Sequence, residues 1–113
     1  MSIPIITGWH AHIYYDTAAR AKAAQIRERV AVRFPDVQIG RMHDGPIGPH
    51  PMPSWLFVFG PERLGEVMPW LLLNRDGCIV FLHPETGDAM ADHTTHAVWF
   101  GPAQPLRLEV LSR

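Results

Sequence analysis

Residues 8–16 read GWHAHIYYD, and the alternation inside this stretch decides how the rest of the chain is read. It is rich in aromatic and branched residues with polar ones between them, the pattern of a half-buried strand. In an extended chain residues i and i+2 share a face. Trp9, Ala11 and Ile13 therefore point one way, as a core would require, and His10, His12 and Tyr14 the other. Two imidazoles side by side on a sheet face need a reason.

Outward from this strand the elements follow in order. Asp16 or Thr17 can cap a helix running to about Arg33, with Ala19, Ala23, Ile26, Val30 and Phe34 along one face. Pro35-Asp36 stops it. VQIGRM (37–42) reads as a second strand. HDGPIGPHPMPS (43–54) is too dense in Pro and Gly for regular structure, and ordered loops of that length are often functional. WLFVFG (55–60) is a third strand. Pro61 and Glu62 open a second helix carrying Leu64, Val67, Trp70 and Leu71, in which Pro69 should introduce a kink or split off a first turn. Asn74 to Gly77 end it, and CIVFLH (78–83) is a fourth strand. Beyond it we expect a loop with a short helical turn, a short strand in AVWFG (97–101), and a final strand in PLRLEVL (105–111), where Leu106, Leu108 and Val110 alternate.

The order β-α-β-β-α-β with a tail defines an α+β, ferredoxin-like fold as one domain over 1–113, with both helices on one face of an antiparallel sheet. The expected strand order is 4-1-3-2, followed by a C-terminal strand extension. We read the third strand as parallel to the central first strand and the fourth as antiparallel to it. That reading gathers His10, the His50 loop and His83 at one sheet edge, with His93 folding back over it. The open face must then be covered by the tail, a partner subunit or both, which leads us to expect a homodimer.

Composition narrows the function. The chain has 113 residues, 47% hydrophobic and 19% charged, with a formal net charge of −1. No basic patch favours nucleic acid or an anionic membrane. No stretch is long enough to cross a bilayer, and the N-terminus lacks a targeting pattern, so we expect a cytoplasmic protein. The single Cys78 excludes an internal disulfide and a cysteine-rich zinc site, and reads as a small buried residue. Histidine stands out at seven residues. His43 and His96 receive no role. The pair His10 and His12 reads as half of a metal site, since imidazole ligates zinc, copper, iron and nickel. Two histidines and a carboxylate would suit non-haem ferrous iron. Glu85, Asp92 and Asp44 are the carboxylates nearby in sequence. Trp55 and Tyr14 could wall a substrate, with Trp55, Phe57 and Phe59 also belonging to the core. Arg41 or Arg75 could hold a substrate carboxylate.

HAHIYY, GPIGPHP, WLLLNRDG, VFLHPETGD, DHTTHAVWFG and PLRLEVL, in that order from about residue 8 to 111, resemble the DOPA 4,5-dioxygenase family. The resemblance implies a ferredoxin-like fold, a dimer, and ferrous-iron-dependent extradiol cleavage of a catechol such as L-DOPA by dioxygen. By position it implies His10, His12 and His83 as metal ligands, and His50 and His93 as catalytic acid–base or positioning groups. Three histidines also suit zinc. Two other classes compete with this reading: a different metal enzyme, such as a zinc-assisted hydrolase or isomerase, and a non-catalytic ligand-binding module.

Overall fold

A computed structural model describes residues 5–112 of the chain. Among the described residues five strands form one sheet: β1 (Gly8–Tyr14), β2 (Gln38–Ile39), β3 (Ser54–Phe59), β4 (Ile79–Glu85) and β5 (Val98–Phe100), in the order β2-β3-β1-β4-β5. Three α-helices accompany them: α1 (Arg20–Arg33), α2 (Leu64–Asn74) and the short α3 (Ala89–Asp92). This is the ferredoxin-like arrangement with β5 appended beside β4. No described helix is long and apolar enough to cross a membrane.

Strand β1 is central and bonded on both sides. It pairs with β3 through Trp9 to Phe59 and Tyr14 to Ser54, and with β4 through His10 to His83 and Tyr14 to Ile79. Its alternation sorts the two faces. Ala11, Ile13, Trp55, Phe57, Phe59, Val80 and Leu82 form the core beneath the helices, together with Ala23, Ile26 and Val30 of α1 and Val67 and Leu71 of α2. Arg33 closes the last turn of α1, and the Phe34 N–H caps it on the Val30 carbonyl at 2.8 Å. Pro61–Arg63 form a 3-10 turn before α2, so the first turn is split off as expected, while Pro69 sits inside the helix. Asp76 and Gly77 both take positive φ, 49° and 79°, in the tight turn that delivers the chain to β4. Cys78 is buried and unpaired.

Three expectations need correction. Strand β3 is antiparallel to β1, not parallel. The α1 crossover returns β2 parallel to β1, and β3 turns back between them, so it must oppose both. The start of β3 therefore lies beside the end of β1, and His50 reaches the open face by a different route. Segment 105–111 is not a strand: it is extended and then closes as a 3-10 turn over Leu108–Ser112. The Arg107 N–H donates to the Pro49 carbonyl at 2.8 Å, so this tail straps the histidine loop instead of joining the sheet. Trp55 points away from the open face. It is fully buried, and its indole N–H donates to the Ala23 carbonyl of α1 at 3.1 Å, which makes it a core residue and removes it from any substrate wall.

The open face is covered by the chain itself. Loop 43–54 is tied down by a bridge between His43 and Ser54 and by the Tyr15 N–H on the Pro53 carbonyl at 3.0 Å. Phe57→Ala, in the fully buried layer, should cost about 3–5 kcal/mol. Val32→Ala, at a side chain 84% exposed, should change stability by less than about 0.5 kcal/mol. Urea titration of both variants checks the assignment of the faces.

Candidate metal centre

The alternation of β1 and β4 builds the site. His10 and His83 are direct cross-strand partners, and His12 faces Phe81 across the same pair. His10, His12 and His83 offer ligand nitrogens that all lie within 4.8 Å of one another. His12 Nε2 and His83 Nε2 are 3.2 Å apart. Two imidazole nitrogens bound to one ion at about 2.1 Å, with an angle between 90° and 109°, would be separated by about 3.0–3.4 Å. The spacing fits a shared cation.

Hydrogen bonds to the outer nitrogens decide what each ring presents. His83 Nδ1 lies 3.0 Å from the Pro84 carbonyl, and a carbonyl only accepts, so Nδ1 carries the proton and Nε2 presents its lone pair. This is the support a metal-bound histidine ordinarily has. His93 Nδ1 likewise donates to the Ala89 carbonyl at 2.7 Å, which leaves its Nε2 bare. The His93 ring lies 4.1 Å from that of His83, and the His50 ring 4.0 Å from that of His12. All five expected histidines are therefore together. His50 arrives because loop 43–54 folds back over the face, not because β3 starts at the same edge as β1.

Glu85 is the carboxylate at the centre's rim. Its Oε1 is 3.2 Å from His10 Nε2 and 3.9 Å from His83 Nδ1. Since His83 Nδ1 is the nitrogen turned away from His12, Glu85 flanks the group, and the converging donors are the three histidines. The other two carboxylates lie elsewhere. Asp92 is buried and accepts from the Thr86 N–H at 2.8 Å, from the Thr86 hydroxyl at 2.6 Å and from His96 Nδ1 at 3.1 Å. Asp44 pairs with Arg20 and accepts from the Tyr15 hydroxyl. Arg41 is exposed beyond β2, which is separated from β1 by β3. Arg75 donates to the Cys78 carbonyl at the far turn.

Burial sets the charge state. It is the largest influence on four of the rings and disfavours their protonation. His12 is held well below the ordinary histidine value by burial and by the surrounding imidazoles. His50 is pushed down to about 4, and His83 to about 3 despite the opposing pull of the Pro84 carbonyl. His10 is also lowered by burial, partly offset by Glu85. Neutral imidazoles are the form that binds metal.

Sequence reasoning missed the aromatic wall. Phe81 and Trp99 are cross-strand partners with ring centres 4.4 Å apart, and Trp99 meets the Tyr14 ring edge-on at 5.7 Å. Phe81 was legible, since it lies two residues from His83 on one strand. Trp99 required the pairing of β5 with β4. Trp99, His93, Leu106 and Leu108 line a small cleft of about 190 Å³, in which His93 is the histidine of the group that takes part.

Fold and site together define an α+β sheet protein with a histidine-built centre able to hold a divalent metal on its open face. The chain belongs to the Dopa 4,5-dioxygenase family, whose model matches residues 9–110. It is 32% identical over 111 residues to the DOPA 4,5-dioxygenase of Amanita muscaria, and 36% identical over 113 residues to an uncharacterised 21.2 kDa protein of Botryotinia fuckeliana. These alignments take in 91% and 90% of this chain but 49% and 62% of the respective relatives, so the chain spans about half to three fifths of their length. A crystal structure of a candidate dioxygenase from Nostoc punctiforme superposes with a TM-score of 0.92 at 48% identity, covering 95% of this chain and 92% of that one.

Acid should destabilise the metal-free protein. Unfolded histidine titrates near 6.5, whereas His50 and His83 resist protonation down to about 4 and 3 in the fold. Between those limits the unfolded chain binds more protons, so stability falls as pH falls. The expected loss at pH 5 relative to pH 7 is on the order of 1–2 kcal/mol per histidine. Thermal melts of chelator-treated protein should agree at pH 8 and 7 and drop progressively below 6.5. A midpoint flat down to pH 4 would show that these rings are not buried as neutral groups.

Proposed function

We propose that the protein is a metal-dependent extradiol dioxygenase acting on a catechol such as L-DOPA, with ferrous iron held by His10, His12 and His83. The observation that carries this reading is the pair of Nε2 atoms 3.2 Å apart, with the His83 outer nitrogen anchored on a backbone carbonyl. Membership of the family and the names of its relatives supply the reaction class. When bound, ferrous iron would chelate the two catechol hydroxyls and activate dioxygen.

The chain's own groups have separate tasks. His93, whose Nδ1 is committed to Ala89, has Nε2 free to take a proton from a catechol hydroxyl entering along the cleft. Trp99, backed by the buried Phe81 ring, offers apolar surface to an aromatic ring, with Leu106 and Leu108 of the strapped tail as the other apolar groups of the cleft. In the overall reaction both atoms of dioxygen enter the product, and a ring carbon–carbon bond beside the diol is broken. The product is a ring-opened semialdehyde bearing a new carboxylate.

A second reading is a zinc-assisted hydrolase, and the observation favouring it is the all-histidine donor set. Anaerobic loading with ferrous iron, followed by oxygen uptake over a catechol panel, separates the two. Oxygen consumption with a coloured ring-opened product supports the dioxygenase. Iron-loaded protein that consumes no oxygen with any catechol removes that reading.

His10→Ala should lower this activity at least about 100-fold, with little change in melting temperature because the side chain is partly exposed. His83→Ala should lose activity too. It should also lose about 1–3 kcal/mol of stability, because it removes a buried ring bonded to Pro84. Matched assays and melts of the two variants test the ligand assignment.

A further inference from the structure

Tyr14 is almost wholly buried, and its hydroxyl has one described hydrogen-bond partner, His50 Nδ1, at 2.6 Å. We propose that Tyr14 is a positioning residue that fixes His50 as the Nε2–H tautomer, which makes His50 the proton donor of the site opposite the proton-accepting His93. The inference deepens the dioxygenase reading and rests on it for the catalytic consequence. The tautomer assignment itself does not.

A phenol has one proton to give. If His50 Nδ1 carried the hydrogen, Tyr14 oxygen would accept it, and the Tyr14 proton would need another acceptor. In this buried place the rings around it are Phe81, Trp99 and His50 itself. Donation from Tyr14 to Nδ1 satisfies both groups with one bond. A neutral imidazole that accepts at Nδ1 must then carry its hydrogen at Nε2.

The neighbours show the contrast. His83 and His93 each donate through Nδ1 to a backbone carbonyl and so present a bare Nε2. His50 has a hydroxyl in the corresponding place and so presents an N–H. The backbone around it agrees: the His50 N–H donates to the Ile47 carbonyl at 2.9 Å, and the Tyr15 N–H holds Pro53, so the loop sets the ring's position while Tyr14 sets its polarity. The His50 ring stands 4.0 Å from that of His12 and 6.3 Å from that of His93, so an Nε2–H on it is placed beside the proposed ligands and can donate to oxygen that gains negative charge as the ring opens. His93 Nε2, with no hydrogen, can only receive. Tyr14 thus belongs behind a catalytic histidine, not in contact with substrate as its place on the open face had suggested.

The test is two-bond proton–nitrogen correlation NMR of the imidazoles in metal-free, nitrogen-15-labelled protein at pH 7.5. The His50 signals are assigned by their loss in His50→Gln. Expected in the wild type is the Nε2–H pattern for His50 and the Nδ1–H pattern for His83 and His93. A Nδ1–H or doubly protonated His50 would overturn the proposal without any variant or turnover. Tyr14→Phe should switch or mix the His50 tautomer. With iron bound as in the wild type, it should lower kcat about 10- to 100-fold at little cost in KM, part of the roughly 10²–10⁴-fold that a placed proton donor contributes. An unchanged His50 pattern and unchanged kcat in Tyr14→Phe would also overturn it. Should wild-type protein show the expected tautomers and yet turn over no catechol, the dioxygenase reading fails while the hydrogen-bond assignment stands.

Discussion

Everything in this protein hangs on the register of one central strand. β1 is hydrogen-bonded to β3 on one side and β4 on the other, and its side chains alternate between a helix-covered core and a face of imidazoles. A slip of one residue would send Ala11 and Ile13 to the histidine face and drive His10 and His12 under the helices. The core and the candidate metal centre are therefore specified by the same backbone bonds. Burial of Ile13 against Trp55, Ile26 and Val30 holds the register that places His10 opposite His83.

The second constraint is desolvation. Crowding the imidazoles under a proline-rich loop removes His12, His50 and His83 from water, and each charge gained by one disfavours charge on the next. His12, His50 and His83 are held neutral at physiological pH as a result. Neutrality alone would leave them interchangeable. What differentiates them is the group behind each ring: the Pro84 carbonyl for His83, the Ala89 carbonyl for His93, the Tyr14 hydroxyl for His50 and the Glu85 carboxylate beside His10. Rings within a few ångströms of one another thus carry different hydrogen-bond partners, the distinction on which the proposed roles of ligand, base and acid rest.

Two of the corrections share a cause. Trp55 and the tail 105–111 were read by local pattern, and pattern reports periodicity without saying which neighbour satisfies it. Trp55 sits at the end of a strand near the histidine loop, yet its parity matches Ile13, so it belongs to the helix side. The alternation in PLRLEVL was real, but β5 takes the place beside β4, and the tail instead donates from the Arg107 N–H to the Pro49 carbonyl before closing as a turn.

The sequence by itself determined the strand–helix order, the two-faced character of β1, and the identity of all five clustered histidines. The order, the two faces and the placing of His10, His12 and His83 follow from periodicity and from the number of elements, which local chemistry controls; His50 was singled out by its motif, and its route to the face was not the expected one. Its motifs were also enough to recognise the family. Only the tertiary structure decided which carboxylate stands beside the histidines, which nitrogen of His83 and of His93 carries the proton, and that Trp99 completes the wall. The first and last of those depend on contacts between residues far apart in the chain: Glu85 with His10, and β5 with β4. A hydrogen-bond partner is set by distance and angle in space, and the spacing of residues along a chain does not carry that information until the sheet has closed around it.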